Sequence, residues 1–120
     1  MKLVIDRNTW LRGEGSAGSK LLRSRDGKQC CLGFLACELG SSQDDIGDKA
    51  NPSQVPSVKW LPGMLHECDQ CTPGSHVKDS DLTSTLININ DSMMYASESQ
   101  READLSSAFA ELGVEVEFIN

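Results

Sequence analysis

The chain has no apolar run longer than a few residues, the longest lying around Cys30 to Ala36, so no segment reads as a bilayer span. It has no basic stripe with interleaved aromatics, and aromatic residues make up only 5% of it, which argues against direct nucleic-acid binding. No internal repeat and no biased linker interrupts its 120 residues, which predicts a single domain over 1–120. The opening Met1-Lys2-Leu3-Val4-Ile5-Asp6 is charged too early for a secretory signal. The glycine-rich stretch 13–19 lacks the Gly-Lys-Ser/Thr ending of a phosphate-binding loop. An even, widely spaced set of cysteines is also missing. There are five, two of them adjacent at Cys30 and Cys31, so free thiols or bound metal in a cytoplasmic setting are expected rather than a disulfide scaffold.

What is present is an ordinary globular composition, 38% hydrophobic and 24% charged, with a net charge of −7. The charge is uneven. Residues 1–40 carry seven Lys/Arg against four Asp/Glu (+3), and residues 41–120 carry four against fourteen (−10). Such an acidic half keeps a protein soluble and can also face a basic partner.

Local patterns predict an α+β fold, with a small antiparallel sheet (a hairpin plus the C-terminal strand) covered by three or four helices. Asp6 reads as the cap of a short helix through Trp10 to Arg12. Asp26-Gly27 between short runs is a strong hairpin signal, because both residues tolerate positive φ. Leu32, Leu35, Ala36 and Leu39 fall on one helical face, ended by Gly40. Residues 41–57 read as a polar loop, and Val58 to Leu61 as a helical turn. Leu82, Leu86 and Ile89 mark another helix, stopped near Asn90-Asp91. Ser99 and Glu102 form a capping-box pattern ahead of the Leu105, Ala108, Phe109, Leu112 stripe, which Gly113 stops. Residues 114–119 then alternate apolar and acidic side chains, as a half-buried strand does, with Glu115 and Glu117 on its wet side.

Several of these blocks resemble a family of small proteins encoded by tailed phages and prophages. The resemblance rests on Trp10-Leu11-Arg12-Gly13, on Gly27-Lys28-Gln29-Cys30-Cys31-Leu32-Gly33-Phe34-Leu35 and on Leu86-Ile87-Asn88-Ile89-Asn90-Asp91. Cys-Cys-Leu-Gly is the most specific motif, and the likeness covers most of the chain outside residues 41–80. It implies a phage accessory protein that binds a host or defence protein in the host cytoplasm.

Three chemistries are open to these residues. His66, Cys68, Cys71 and His76 lie within eleven residues, and a Cys-x2-Cys turn can deliver two thiolates to one zinc ion. Four protein ligands would leave no open position, so the zinc would be structural. Alternatively, Cys31 at a helix N-terminus is a candidate nucleophile, with His76 as its base, on a loose likeness of Cys31-Leu32-Gly33-Phe34 to papain-like cell-wall peptidases. The competing reading makes Cys30 and Cys31 packing residues, with Gly33 letting helix and sheet approach closely. The third possibility is a binding module without chemistry of its own. Its candidate contacts are Trp60 beside Pro62, the cluster Met93-Met94-Tyr95, and the acidic residues Asp79, Asp81 and Asp91. No pair of carboxylates suggests a glycosidase cleft.

Overall fold

The computed structural model describes residues 1–15, 18–67 and 77–120. Its first element, β1 (Lys2–Asp6), alternates as a strand should: Leu3 and Ile5 are buried, while Lys2 and Val4 are exposed. It pairs in parallel with β4 (Glu115–Ile119), in the register Lys2↔Glu115 to Asp6↔Ile119. A second pair is antiparallel, β2 (Leu65–Glu67) with β3 (Val77–Asp79). Helices α1 (Cys31–Glu38), α2 (Gln43–Ile46), α3 (Asp81–Asp91) and α4 (Glu98–Ala110) complete the described elements, with a 3₁₀ turn at Pro52–Gln54. The class is α+β, as the patterns predict.

The sheet differs from the expected one. The last strand forms where alternation places it, but its partner is β1 in parallel, not the Asp26-Gly27 hairpin. That turn does close: Gly27 has φ +73°, and the Asp26 carboxylate accepts the Lys28 N–H at 3.1 Å. Its arms do not become a strand pair, because their backbone groups bond largely to other segments. Leu21 N–H reaches Lys49 O at 2.8 Å, Gln29 N–H reaches Thr9 O at 2.9 Å, and Leu11 N–H reaches Gln29 O at 2.7 Å. Asp6 caps no helix either. It ends β1, and its carboxylate accepts the Asn8 N–H at 2.9 Å in a tight turn.

The helices follow their sequence signals closely. α1 ends in a Schellman motif, with Gly40 at φ +94°, Gly40 N–H on Cys37 O and Ser41 N–H on Ala36 O. In the polar stretch after it, Ser42 caps the short α2, whose Ile46 is buried. α4 is capped by Ser97, whose hydroxyl accepts Gln100 N–H at 3.2 Å, two residues ahead of the expected Ser99. Glu102 is thereby free to take Arg7 in a two-pronged ion pair at 2.8 and 2.9 Å.

The inner face of the β1–β4 pair, Leu3 and Ile5 with half-buried Val116 and Phe118, is covered by α1 and α4, and α3 packs on both helices. Leu32, Leu35, Leu86, Leu105 and Phe109 are completely buried in one core, joined by Trp10, whose ring lies 5.3 Å from that of Phe118.

Gly33 shows how close α1 lies to the chain beneath it. A Cβ at this position would stand 1.8 Å from the Leu21 carbonyl oxygen. Gly27 is the opposite case: its φ of +73° suits glycine and would strain any other residue, but nothing lies within 4 Å of a Cβ built there. Gly33→Ala is expected to destabilise by about 3 kcal/mol or more, because backbone must move, and Gly27→Ala by only about 1 kcal/mol. Urea unfolding of both variants checks the order; equal, small losses would show that α1 can shift away from Leu21.

Candidate binding site

The site grows out of the end of α3. This helix starts at Ser80, whose hydroxyl accepts the Thr83 N–H at 3.1 Å, and it finishes at Asp91 with Ser92 as its cap. The last carbonyls of a helix lack intrahelical partners and carry the negative end of its dipole. Arg101, from α4, fills that gap. Its guanidinium donates to Ile89 O at 2.6 Å, Asn90 O at 3.0 Å and Ser92 O at 2.7 Å, and to the Glu98 carboxylate at 2.7 Å. It is only 3% exposed, and these four hydrogen bonds, one of them to the Glu98 carboxylate, compensate the buried charge.

The same guanidinium lies 4.7 Å from the centre of the Tyr95 ring, and the Tyr95 hydroxyl donates to Asp104 at 2.7 Å. Burial, with the neighbouring Asp104 carboxylate adding to it, holds the Tyr95 phenol above its usual pKa. The loop between α3 and α4 is thus braced from beneath on a rigid ion-pair base. On top of it Met93 and Met94 are 73% and 90% exposed, and a groove of about 380 Å³ is lined by Asn88, Ile89, Ser92, Met94 and Tyr95. Exposed methionine beside an aromatic ring offers an adaptable apolar surface.

Asn90, next in the chain to the groove-lining Ile89, is completely enclosed, with every hydrogen-bonding position of its side chain used. Its Oδ1 accepts from Trp10 Nε1 at 2.8 Å and from Cys31 N–H at 3.0 Å. Its Nδ2 donates to Leu11 O at 2.9 Å and to Asp91 Oδ1 at 3.0 Å. Its backbone carbonyl takes Gly13 N–H at 2.8 Å, and that of Asp91 takes Gly15 N–H at 2.9 Å. The sequence blocks 10–13, 27–35 and 86–91 therefore meet here, at one carboxamide.

The other candidates are dispersed. Trp60 is half-buried against the core and donates its indole N–H to Val55 O at 3.0 Å. Asp79 is half-buried and accepts Ser53 N–H at 3.0 Å, and its burial raises the carboxyl pKa. Asp81 is exposed on the first turn of α3. Asp91 is turned inward, 8% exposed, and burial raises its pKa despite the hydrogen bonds from Asn90 and Ser19. It belongs to the support of the loop and not to an acidic surface. Of the candidates, Met94 and Tyr95 share one groove, while exposed Met93 sets its Sδ 3.3 Å from where a Cβ at Gly15 would stand.

Cys31 is not placed to act as a nucleophile. It does begin α1, but it is fully buried, with its Sγ 4.0 Å from the Leu86 carbonyl. Desolvation outweighs the helix dipole and pushes its thiol well above the ordinary value, and that of Cys30 up to about 12. His66 lies exposed on β2 opposite Lys78, while Cys68, Cys71 and His76 fall outside the described residues. Among the described residues no group of three or more His, Cys, Asp or Glu side chains could hold a metal ion.

Asn90 and Arg101 escaped the sequence reading, since Asn90 looks like an ordinary helix stop. The available signal was Arg101 itself, one of only four cations among residues 41–120, placed one helix beyond that stop. Compared with protein-family models, with curated proteins and with solved structures, the chain matches none of them.

Alkylation under native conditions checks the thiol assignment. Cys30 and Cys31 are expected to stay unlabelled until urea unfolds the chain, with half-buried Cys37 reacting ahead of them. Fast labelling of Cys31 in folded protein would restore it as a nucleophile.

Proposed function

We propose that the chain is a phage accessory protein that binds a host protein or a component of an anti-phage defence and so inhibits or redirects it, in the host cytoplasm, without chemistry of its own. The observation that carries this reading is the exposed Met93–Met94 pair on the braced loop between α3 and α4. Thioether side chains adapt to an apolar partner, and a fixed backbone lowers the entropy lost on docking. The phage origin rests on the motif blocks that meet at Asn90. The net charge of −10 over residues 41–120 favours a partner whose own surface is basic around an apolar centre.

A structural zinc ion is compatible with the same reading. Antiparallel pairing of Glu67 with Val77 holds the two ends of the 68–76 stretch together, which shortens the search that Cys68, Cys71, His76 and the adjacent His66 would make for one ion.

Native mass spectrometry of the untagged chain, alone and with host protein fractions, tests both. A complex with one defined partner is expected for the natural sequence. Met93→Glu with Met94→Glu should abolish it, and the distant control Asp44→Asn should retain it. A complex indifferent to the methionine pair, or turnover of a substrate by the pure chain, would overturn the binding reading. A mass greater by one zinc would place a metal on the chain, and the bare apo mass would remove it.

A further inference from the structure

The β1–β4 pair is a two-stranded parallel sheet, and neither strand has a second strand neighbour among the described residues. Two strands alone are marginal in water, and an open edge offers unpaired N–H and C=O groups to another chain. The direction in which those groups point follows from the ends of the ladder. Glu115 N–H bonds to Met1 O, and Arg7 N–H bonds to Ile119 O. Odd-numbered residues of β1 therefore face β4, and Lys2, Val4 and Asp6 direct their backbone groups to the free edge. No backbone bond beyond the ladder engages Lys2 or Val4 among the described residues, and Asp6 O accepts from the Thr9 N–H and hydroxyl.

The side chains along that edge are self-complementary. Lys2-Leu3-Val4-Ile5-Asp6 has an apolar residue at its centre and opposite charges at equal distances on either side. If a second copy pairs antiparallel with Val4 opposite Val4, Lys2 of each copy, which also holds Glu117 of its own chain at 3.0 Å, faces Asp6 of the other at both ends. Val4, 42% exposed, then covers its counterpart on the outer face of the sheet, with Ile119, 37% exposed, on the same face. Edges that proteins protect from pairing carry proline or charges that repel their own copy. The free edge of β4 is of that second kind. Self-pairing there would bring Glu115 and Glu117 of two acidic strands together, and like charges across a strand pair destabilise it. The two open edges thus differ in sign: one attracts a copy of itself and the other repels it.

We infer that the chain associates with a second copy through the free edge of β1, in an antiparallel pairing centred on Val4, which makes a continuous four-stranded sheet β4–β1–β1–β4. This contact is separate from the Met93–Met94 surface, so one dimer would present two such surfaces to partners.

Sedimentation of the pure chain over a range of concentrations tests it. The natural sequence is expected to reach twice the 13.1 kDa chain mass. Val4→Lys, which changes an exposed side chain and puts two cations at the centre of the contact, should remain at the chain mass with unchanged circular dichroism, and Val4→Ile should still pair. A natural sequence that stays monomeric at every concentration overturns the proposal. So does a dimer that survives Val4→Lys, which would assign the contact to another face, such as the Met94 groove.

Discussion

The carboxamide of Asn90 is the interaction on which the rest of this structure depends. A buried amide is costly unless its oxygen accepts and its nitrogen donates in full. Here the oxygen takes the Trp10 indole and the first N–H of α1, and the nitrogen reaches Leu11 O and Asp91. One side chain near the end of α3 thereby fixes the start of α1 and the segment that follows β1. Trp10 and Asn90 lie 80 residues apart in the chain, so this bond is a tertiary specification and not a local turn. An apolar residue of the same volume would leave an indole N–H, a helix N–H and a carbonyl buried without partners. The network is therefore specific as well as stabilising.

Asn90 also sets the height of the candidate binding loop. Once its backbone carbonyl is held by Gly13 and Arg101, the chain leaves α3 at a fixed point, and Arg101 also ties down the Ser92 carbonyl. Tyr95 lies over that guanidinium, and the two methionines that precede it are exposed. A loop supported in this way presents adaptable side chains from a backbone that has already lost its freedom, which suits recognition of a protein surface.

Much of the helical architecture was legible because it is periodic. The stripes of α1 and α4, the glycine that ends each of them, and the alternation of β4 are short-range signals, and all appear as read. The pairing of β4 was not legible. Its partner lies more than a hundred residues away, and a parallel pair has no turn to announce it. The Asp26-Gly27 turn misled for a related reason: the turn is local and formed, while the destination of its arms is decided by Thr9 and Lys49 elsewhere in the chain. At the site, Met93-Met94-Tyr95 stood out because the cluster fits no helical stripe. Asp91 reads from the sequence as an exposed acidic contact, because an acidic residue beside a helix stop looks solvated, and only the tertiary structure turns it inward. Cys31 shows two principles in competition. The helix N-terminus favours a thiolate, but full burial costs more.

The most direct test of this account is the stability of Asn90→Asp in urea at neutral pH. The substitution keeps shape and volume but replaces two donors with an acceptor that faces Leu11 O and the Asp91 carboxylate. The account predicts a loss on the order of 3 kcal/mol or more. A variant within about 0.5 kcal/mol of the natural sequence would contradict it, because the structure would then not depend on the pairing of that amide.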